Sequence, residues 1–254
     1  MPSPIRSVLV VGATGSIGRH VVDEALRRGL RTRALVRPGS RTRLPDGAEI
    51  VQGDLTRAET LADAVDGVDA VVFTQGSHGD PRQAELVDYG AVRNTIEALA
   101  GRLVRISLMT TIGVTKRSAG HDAKRRGERL VRATGWPYTI VRPGWFDYND
   151  DDQHRIVLLQ GDRRWAGDPS DGAVSRQQIA EVLVGALLDD AADHTSFELV
   201  TERGTTDDLH PLFAALEADP AGALDGVQDR DNQPLDREPD AVRELLERTA
   251  ATRA

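Results

Sequence analysis

The stretch that decides the fold runs Ile5-Arg6-Ser7-Val8-Leu9-Val10-Val11, then Gly12-Ala13-Thr14-Gly15-Ser16-Ile17-Gly18-Arg19, and continues as a helical run to Gly29. The first segment is an apolar run of strand length, and the last places Val21, Val22, Ala25 and Leu26 on one side of a helix. A strand, a glycine-rich turn and an amphipathic helix in that order read as the first βα unit of a parallel sheet that binds a dinucleotide. The free N–H groups at the helix start face the pyrophosphate. Gly12 permits the tight turn out of the strand, Gly15 lets the backbone approach the phosphates, and Gly18 lets the helix pack closely on the sheet. The candidate phosphate-binding set is therefore Gly12, Thr14, Gly15, Ser16, Ile17, Gly18 and Arg19. The spacing is Gly-x-x-Gly-x-x-Gly and departs from the Gly-x-Gly-x-x-Gly fingerprint.

Composition narrows the alternatives. A chain of 254 residues, 39% hydrophobic with few aromatics, suffices for one α/β domain with a core of Val, Leu, Ile and Ala. With no cysteine there is no disulfide, thiol nucleophile or thiolate metal site, which fits a cytoplasmic chain. No run reaches the roughly 18 apolar residues of a membrane span, and the N-terminus lacks an apolar signal core. The formal charge of −8 argues against a general nucleic-acid binder. Arginines crowd the first sixth of the chain, and most of that run reads as a solvated face.

Working outward, Thr32–Val36 reads as the second strand, ending at Arg37 with Arg41 four residues on. In a dinucleotide fold this strand end lies beside the adenosine ribose, where an acid takes the 2′-hydroxyl and an arginine pairs with a 2′-phosphate. No acid stands there, so Arg37 and Arg41 point to NADP, with NAD the alternative. Strands are expected at 50–56, 68–73, 103–109, 138–141, 155–160 and 197–200, and helices at 59–65, 81–100, from about 121, 175–188 and about 239–249. Thr74, Gln75 and Gly76 follow a strand at the carboxyl edge of the sheet, where their backbone passes the cofactor.

Several further motifs line up. Leu103–Met109 ends in Thr110-Thr111-Ile112-Gly113, and a helix carrying Lys124 and then Glu128 leads to Gly135-Trp136-Pro137-Tyr138-Thr139-Ile140-Val141 and the exit Arg142-Pro143-Gly144. A helix start, Ser175-Arg176-Gln177-Gln178-Ile179-Ala180, follows. From residue 5 to about 203 this sequence resembles the atypical, NmrA-like branch of the short-chain dehydrogenase/reductase superfamily, with Gln178 in place of the family's acid. The resemblance implies a Rossmann-like, doubly wound parallel sheet with a small C-terminal substrate-side region. The chain is then one domain over 1–254, with a variable insert at about 147–174 and an extension at about 204–254. It also implies that Asp54 and Leu55 flank the adenine, and that Pro143 and Gly144 border the cofactor. Lys124 would bind the nicotinamide ribose and is a candidate acid, directly or through water, and Thr110 and Thr111 would polarise a substrate carbonyl or contact the nicotinamide.

One part of the superfamily's machinery is missing. The usual tyrosine four residues before the lysine, whose phenol the lysine's charge activates, is replaced by Gly120. Tyr148, His121 and His154 are candidate substitutes with nothing to rank them. Trp145, Phe146 and Tyr148 are the expected substrate-side residues. The acids at 147 and 150–152 lack the spacing of a calcium loop, so no metal is expected. The expected activity is NADP-dependent hydride transfer to or from a small carbonyl, enone or quinone-like compound, with no nucleic-acid or membrane partner. A cofactor-binding redox sensor is the alternative, nucleotide-sugar isomerisation a weaker third. The superfamily's habit of forming oligomers leaves a homo-oligomer open.

Overall fold

The computed structural model describes residues 4–40, 43–77 and 80–252. Strand β1 (Ser7–Val11) is buried along its whole length, as a near-continuous apolar run in the middle of a parallel sheet must be. Val8 and Val10 face one apolar layer, Leu9 and Val11 the other. It lies between β2 (Arg31–Val36) and β4 (Ala70–Phe73), with β3 (Glu49–Gln52) beyond β2, and β5 (Arg105–Met109) then β6 (Tyr138–Pro143) beyond β4. The two-residue strands β7 (Trp145–Phe146) and β9 (Ala173–Val174) pair with each other outside the main sheet. The main sheet is completed by β8 (Arg155–Leu159) and β10 (Thr195–Glu202), in the order β3-β2-β1-β4-β5-β6-β10-β8. All pairs are parallel except β8 with β10.

Helices cover both faces. Helices α1 (Gly18–Arg27) and α6 (Arg176–Leu188) pack on one face; α2 (Ala62–Val65), α4 (Gly90–Leu99) and α5 (Ala119–Thr134) pack on the other. The short α3 (Pro81–Gln83) leads into α4 through a widened, π-type turn over Ala84–Tyr89. Helix α7 (His210–Ala214) buries Phe213 in the first layer, and α8 (Asp240–Ala251) buries Val242 and Leu246 in the second. The order of strands reverses between β1 and β4, so their carboxyl ends open the crevice where ligands bind in such sheets.

Ion pairs organise both ends of the chain. The N-terminal arginines form a paired surface: Arg27 and Arg28 hold Glu24, and Arg31 and Arg33 hold Glu49. The C-terminal extension is strapped to α5 by buried arginines. Arg125 and Arg129 bind Asp225, Arg129 also binds Glu238, and Arg132 binds Asp219. Arg125, Arg129 and Arg132 are almost fully buried.

Candidate nucleotide cleft and adjoining cavity

The turn after β1 is built around backbone contacts that exclude side chains. Gly12 sits at φ +83°, and a Cβ there would stand 2.7 Å from the Gln75 nitrogen. The loop leaving β4 therefore presses directly on the turn, pinned by Thr74, whose N–H and hydroxyl both donate to the Val11 carbonyl at 2.9 Å. Gly18 is required for a different reason from the one expected: its Cβ would lie 2.1 Å from the Gly12 carbonyl oxygen, so the glycine closes the turn on itself. Gly15 donates to that same carbonyl at 2.9 Å.

This local geometry fits a bound anion. Helix α1 has no side-chain cap. The N–H groups of Ser16, Ile17 and Gly18 have no acceptor among the described residues. Helix starts leave such donors unsatisfied, with a partial positive charge beside them. Ile17 contributes only backbone, because its side chain is in the core, whereas Thr14 is half-buried and Ser16 and Arg19 are exposed. A second orphan lies on the facing loop, where Gln75 Oε1 is buried without a partner among the described residues. Buried polar atoms of this kind are rare unless a ligand or water meets them.

At the end of β2, Arg37 is exposed and has no ion-pair partner among the described residues, unlike the four paired arginines before it. Arg41 lies outside the described residues. Asp54 is already engaged, its carboxylate receiving the N–H and hydroxyl of Thr56, which hold it below the usual carboxylate range. The Leu55 carbonyl accepts from the buried Asn94 amide at 2.7 Å, which ties this loop to α4. Gly76 is exposed, with open space about its Cα.

Lys124 projects from the second turn of α5 and donates to Asp88 Oδ1 at 2.9 Å. The same carboxylate receives the N–H and hydroxyl of Ser77, so one acid joins the β4 loop to the lysine. Asp88 falls in the widened turn before α4, a distortion that often marks functional positions. Tyr89 beside it is a packing residue, its phenol pushed up to about 12 by burial.

The two threonines after β5 part company. Thr110 is buried, and its hydroxyl donates to Glu128 Oε1 at 2.7 Å, so the expected contact with a substrate carbonyl is corrected for this residue. Thr111 lines a cavity of about 330 Å³ together with Gly144, Trp145 and Phe146. The remainder of its wall includes Lys116, His121 and Trp165. Tyr148 is 62% exposed and stacks edge-on against Trp145 outside this wall. Pro143 accepts the Ile112 N–H through its carbonyl. Gly144 is glycine because a Cβ would strike the Gly172 carbonyl at 2.3 Å. His154 bonds the Asp151 carbonyl and is absent from the cavity wall.

Beneath the cavity lies a buried charge cluster that no sequence pattern announced. Arg142 pairs with Glu128 and Asp229, both at 2.7 Å, and lies 3.8 Å from Glu198. Burial opposes the Glu128 charge, but Arg142 and Arg132 outweigh it and hold the acid at about 2. Glu198 is pushed up to about 8 by burial, with Arg142 too distant to compensate. Asp162, buried and at φ +45°, takes the N–H groups of Gly113 and Thr115 at 2.6 Å each and so fixes the cavity loop from below.

With the turn, its orphan donors and the crevice described, the family assignment follows from residues 12–190, which match the NAD(P)H-binding family. The chain belongs to that family. Among relatives, the pea (Pisum sativum) chloroplastic protein TIC 62 is 28% identical over 69% of this chain and 39% of its own length. The uncharacterized sugar epimerase YhfK of Bacillus subtilis is 28% identical over 83% of this chain and 98% of its own. The chain thus spans well under half of TIC 62. A short-chain dehydrogenase/reductase from Veillonella parvula, solved in complex with NADP, superposes with a TM-score of 0.60 at 16% identity, over 80% of this chain and all of that one. At that identity the likeness concerns the fold. Among the described residues of this NAD(P)H-binding protein, no helix is long and apolar enough to cross a membrane.

Proposed function

We propose that this chain is an NADP-dependent oxidoreductase of the atypical, NmrA-like kind, acting on a small carbonyl, enone or quinone-like compound. The observation that carries it is the run of N–H groups at Ser16, Ile17 and Gly18, which have no acceptor among the described residues and lie in the turn that follows β1, with Arg37, free of ion pairs among those residues, at the end of the neighbouring β2. In this reading the turn residues hold the pyrophosphate and Arg37 pairs with the 2′-phosphate. The loops at 54–55 and 74–76 flank the nucleotide, and Lys124 takes the nicotinamide ribose hydroxyls. When bound, the nicotinamide supplies or accepts a hydride.

The chain's own residues shape the other half of the reaction. Asp88 holds the Lys124 ammonium in place while leaving it two further protons to donate. Trp145 and Phe146 form the apolar wall beside Thr111 and shield the reacting face from water. Gly120 standing where the superfamily has tyrosine favours a second reading, a cofactor-binding sensor without turnover. Titration with NADPH and NADH, followed by a screen of NADPH oxidation against quinones, aldehydes, ketones and enones with wild type and Lys124→Ala, separates the two. Substrate-dependent oxidation lost in the variant supports the enzyme. Tight NADPH binding with no oxidation across the panel favours the sensor, and no binding of either nucleotide removes both.

A further inference from the structure

The cavity beside Thr111 has a chemical character of its own. Three aromatic side chains, Trp145, Phe146 and Trp165, supply flat walls around about 330 Å³, near the lower end of small-ligand pockets. The guanidinium of Arg230, from the C-terminal strap, lies 3.5 Å from the Trp165 ring centroid and braces that wall.

The polar groups of the wall are unevenly matched. Lys116 donates one proton to the Trp165 carbonyl at 3.0 Å, which leaves two N–H bonds and the full charge. Trp165 Nε1 is buried and has no acceptor among the described residues. His121 Nδ1 lies 2.7 Å from the Lys116 carbonyl, so that nitrogen carries the proton and Nε2 is the position left for a ligand. The wall's acid, Asp171, is consumed: its two oxygens take the N–H groups of Ala166 and Gly167 at 2.7 Å each, and the residue is 5% exposed. His121 also stands in the first turn of the sixteen-residue α5, whose N-terminal end favours negative charge. The wall thus keeps donors to spare around an aromatic slot: Lys116 has no carboxylate partner among the described residues, while Asp171 is turned to backbone N–H groups.

We infer that the cavity selects a planar aromatic compound bearing an anionic group, its rings between the Trp and Phe side chains and its negative oxygen on Lys116. The inference rests on reading the cavity as the substrate side of the proposed oxidoreductase, and names the class of compound it takes. An anion without rings would leave the aromatic walls wet, and a neutral ring compound would leave the Lys116 ammonium without a counter-charge.

The test needs no turnover. Calorimetry of 2-naphthoate and of 2-acetylnaphthalene, two planar probes of the same ring system, one an anion and one a neutral ketone, is run on the full chain with and without NADPH. The expected result is tighter binding of the naphthoate by about tenfold or more, and loss of that preference in Lys116→Gln with ketone affinity kept. Equal affinities, a preference for the ketone, a preference that survives Lys116→Gln, or no binding of either probe to NADPH-loaded protein would overturn the inference, while NADPH binding leaves the nucleotide reading standing. Lys116-dependent naphthoate binding by a protein that takes no NADPH supports the inference and removes the oxidoreductase reading instead.

Discussion

Asp88 Oδ1 lies 2.9 Å from the Lys124 ammonium, and the same carboxylate receives the N–H and hydroxyl of Ser77. Asp88 is almost wholly buried, so its charge is worth keeping only if all of these partners stay. Removing the acid frees the lysine from its place, and removing the lysine takes its charge from the site. Asp88→Ala and Lys124→Ala are each expected to weaken NADPH binding by about tenfold. Because the two act as one unit, the double variant should lose little more than either single one. Losses that multiply in a double-mutant cycle would show that the lysine acts without the acid.

Arg37 differs from its neighbours in what it lacks. Arg27, Arg28, Arg31 and Arg33 are paired with glutamates, while Arg37 stands exposed at the strand end with no ion pair among the described residues. Arg37→Ala should reduce affinity for NADPH by about tenfold and leave NADH unchanged, since a 2′-hydroxyl offers no charge to pair with. The difference should shrink at high salt, because the contact is exposed. Equal losses for both nucleotides would take Arg37 out of cofactor choice.

The turn glycines divide by what surrounds them. A Cβ on Gly18 would meet the Gly12 carbonyl at 2.1 Å, whereas around Gly76 there is open space within 4 Å. Gly18→Ala should cost about 1–3 kcal/mol as the turn backbone is forced apart, with loss of nucleotide binding. Gly76→Ala should change stability by less than about 0.5 kcal/mol. Thermal melts with and without NADPH distinguish them. A Gly18→Ala protein that melts and binds like wild type would mean the turn opens without cost.

How far the fold could be read from the letters depends on whether its signals were local. Val8–Val11, the turn glycines and the period of α1 are contiguous, and β1 and its helix stand where the pattern puts them. The Thr110-Thr111 pair could not be divided by sequence, because which hydroxyl is buried depends on Glu128, eighteen residues away and on another element. Asp88 and Asn94 are ordinary polar residues on an amphipathic helix until the loops at 77 and 55 arrive against them. Asp162 carries no motif, since its role comes from a positive φ and two N–H groups on another loop. The burial of Arg125 and Arg129 has no local signal, because residues 225–238 supply their partners from about a hundred positions later.

That strap gives a stability prediction. Arg142 is fully enclosed and divides its guanidinium between Glu128 and Asp229. Arg142→Ala leaves two buried carboxylates facing each other and should cost about 3–5 kcal/mol in a denaturant melt. Arg155→Ala, at a half-exposed pair with Glu202, should cost under about 1 kcal/mol. Similar values for the two would mean the buried cluster contributes no more than a surface ion pair.

Glu198 sets a pH dependence with a definite sign. Its ordinary value is 4.5, and in the folded chain burial raises it to about 8, so between these values the folded state keeps a proton that the unfolded state releases. Stability from this group is therefore full below about pH 4.5 and is lost as pH rises through 8, with a slope of at most about 1.4 kcal/mol per pH unit. Glu128 works in the opposite sense, lowered to about 2, so its contribution is present above pH 4.5 and disappears only in acid. His194, raised chiefly by its hydrogen bond to Asp193, also loses its contribution as pH rises, but does so equally in wild type and in Glu198→Gln. Glutamine keeps the acceptor for the Asp162 N–H at this site and has no proton to lose. The stability of Glu198→Gln, measured by urea denaturation at intervals from pH 5 to 9, should fall less steeply than that of wild type. Parallel curves for the two proteins would show that Glu198 is charged in the folded chain at neutral pH, and that Arg142 reaches it despite the 3.8 Å separation.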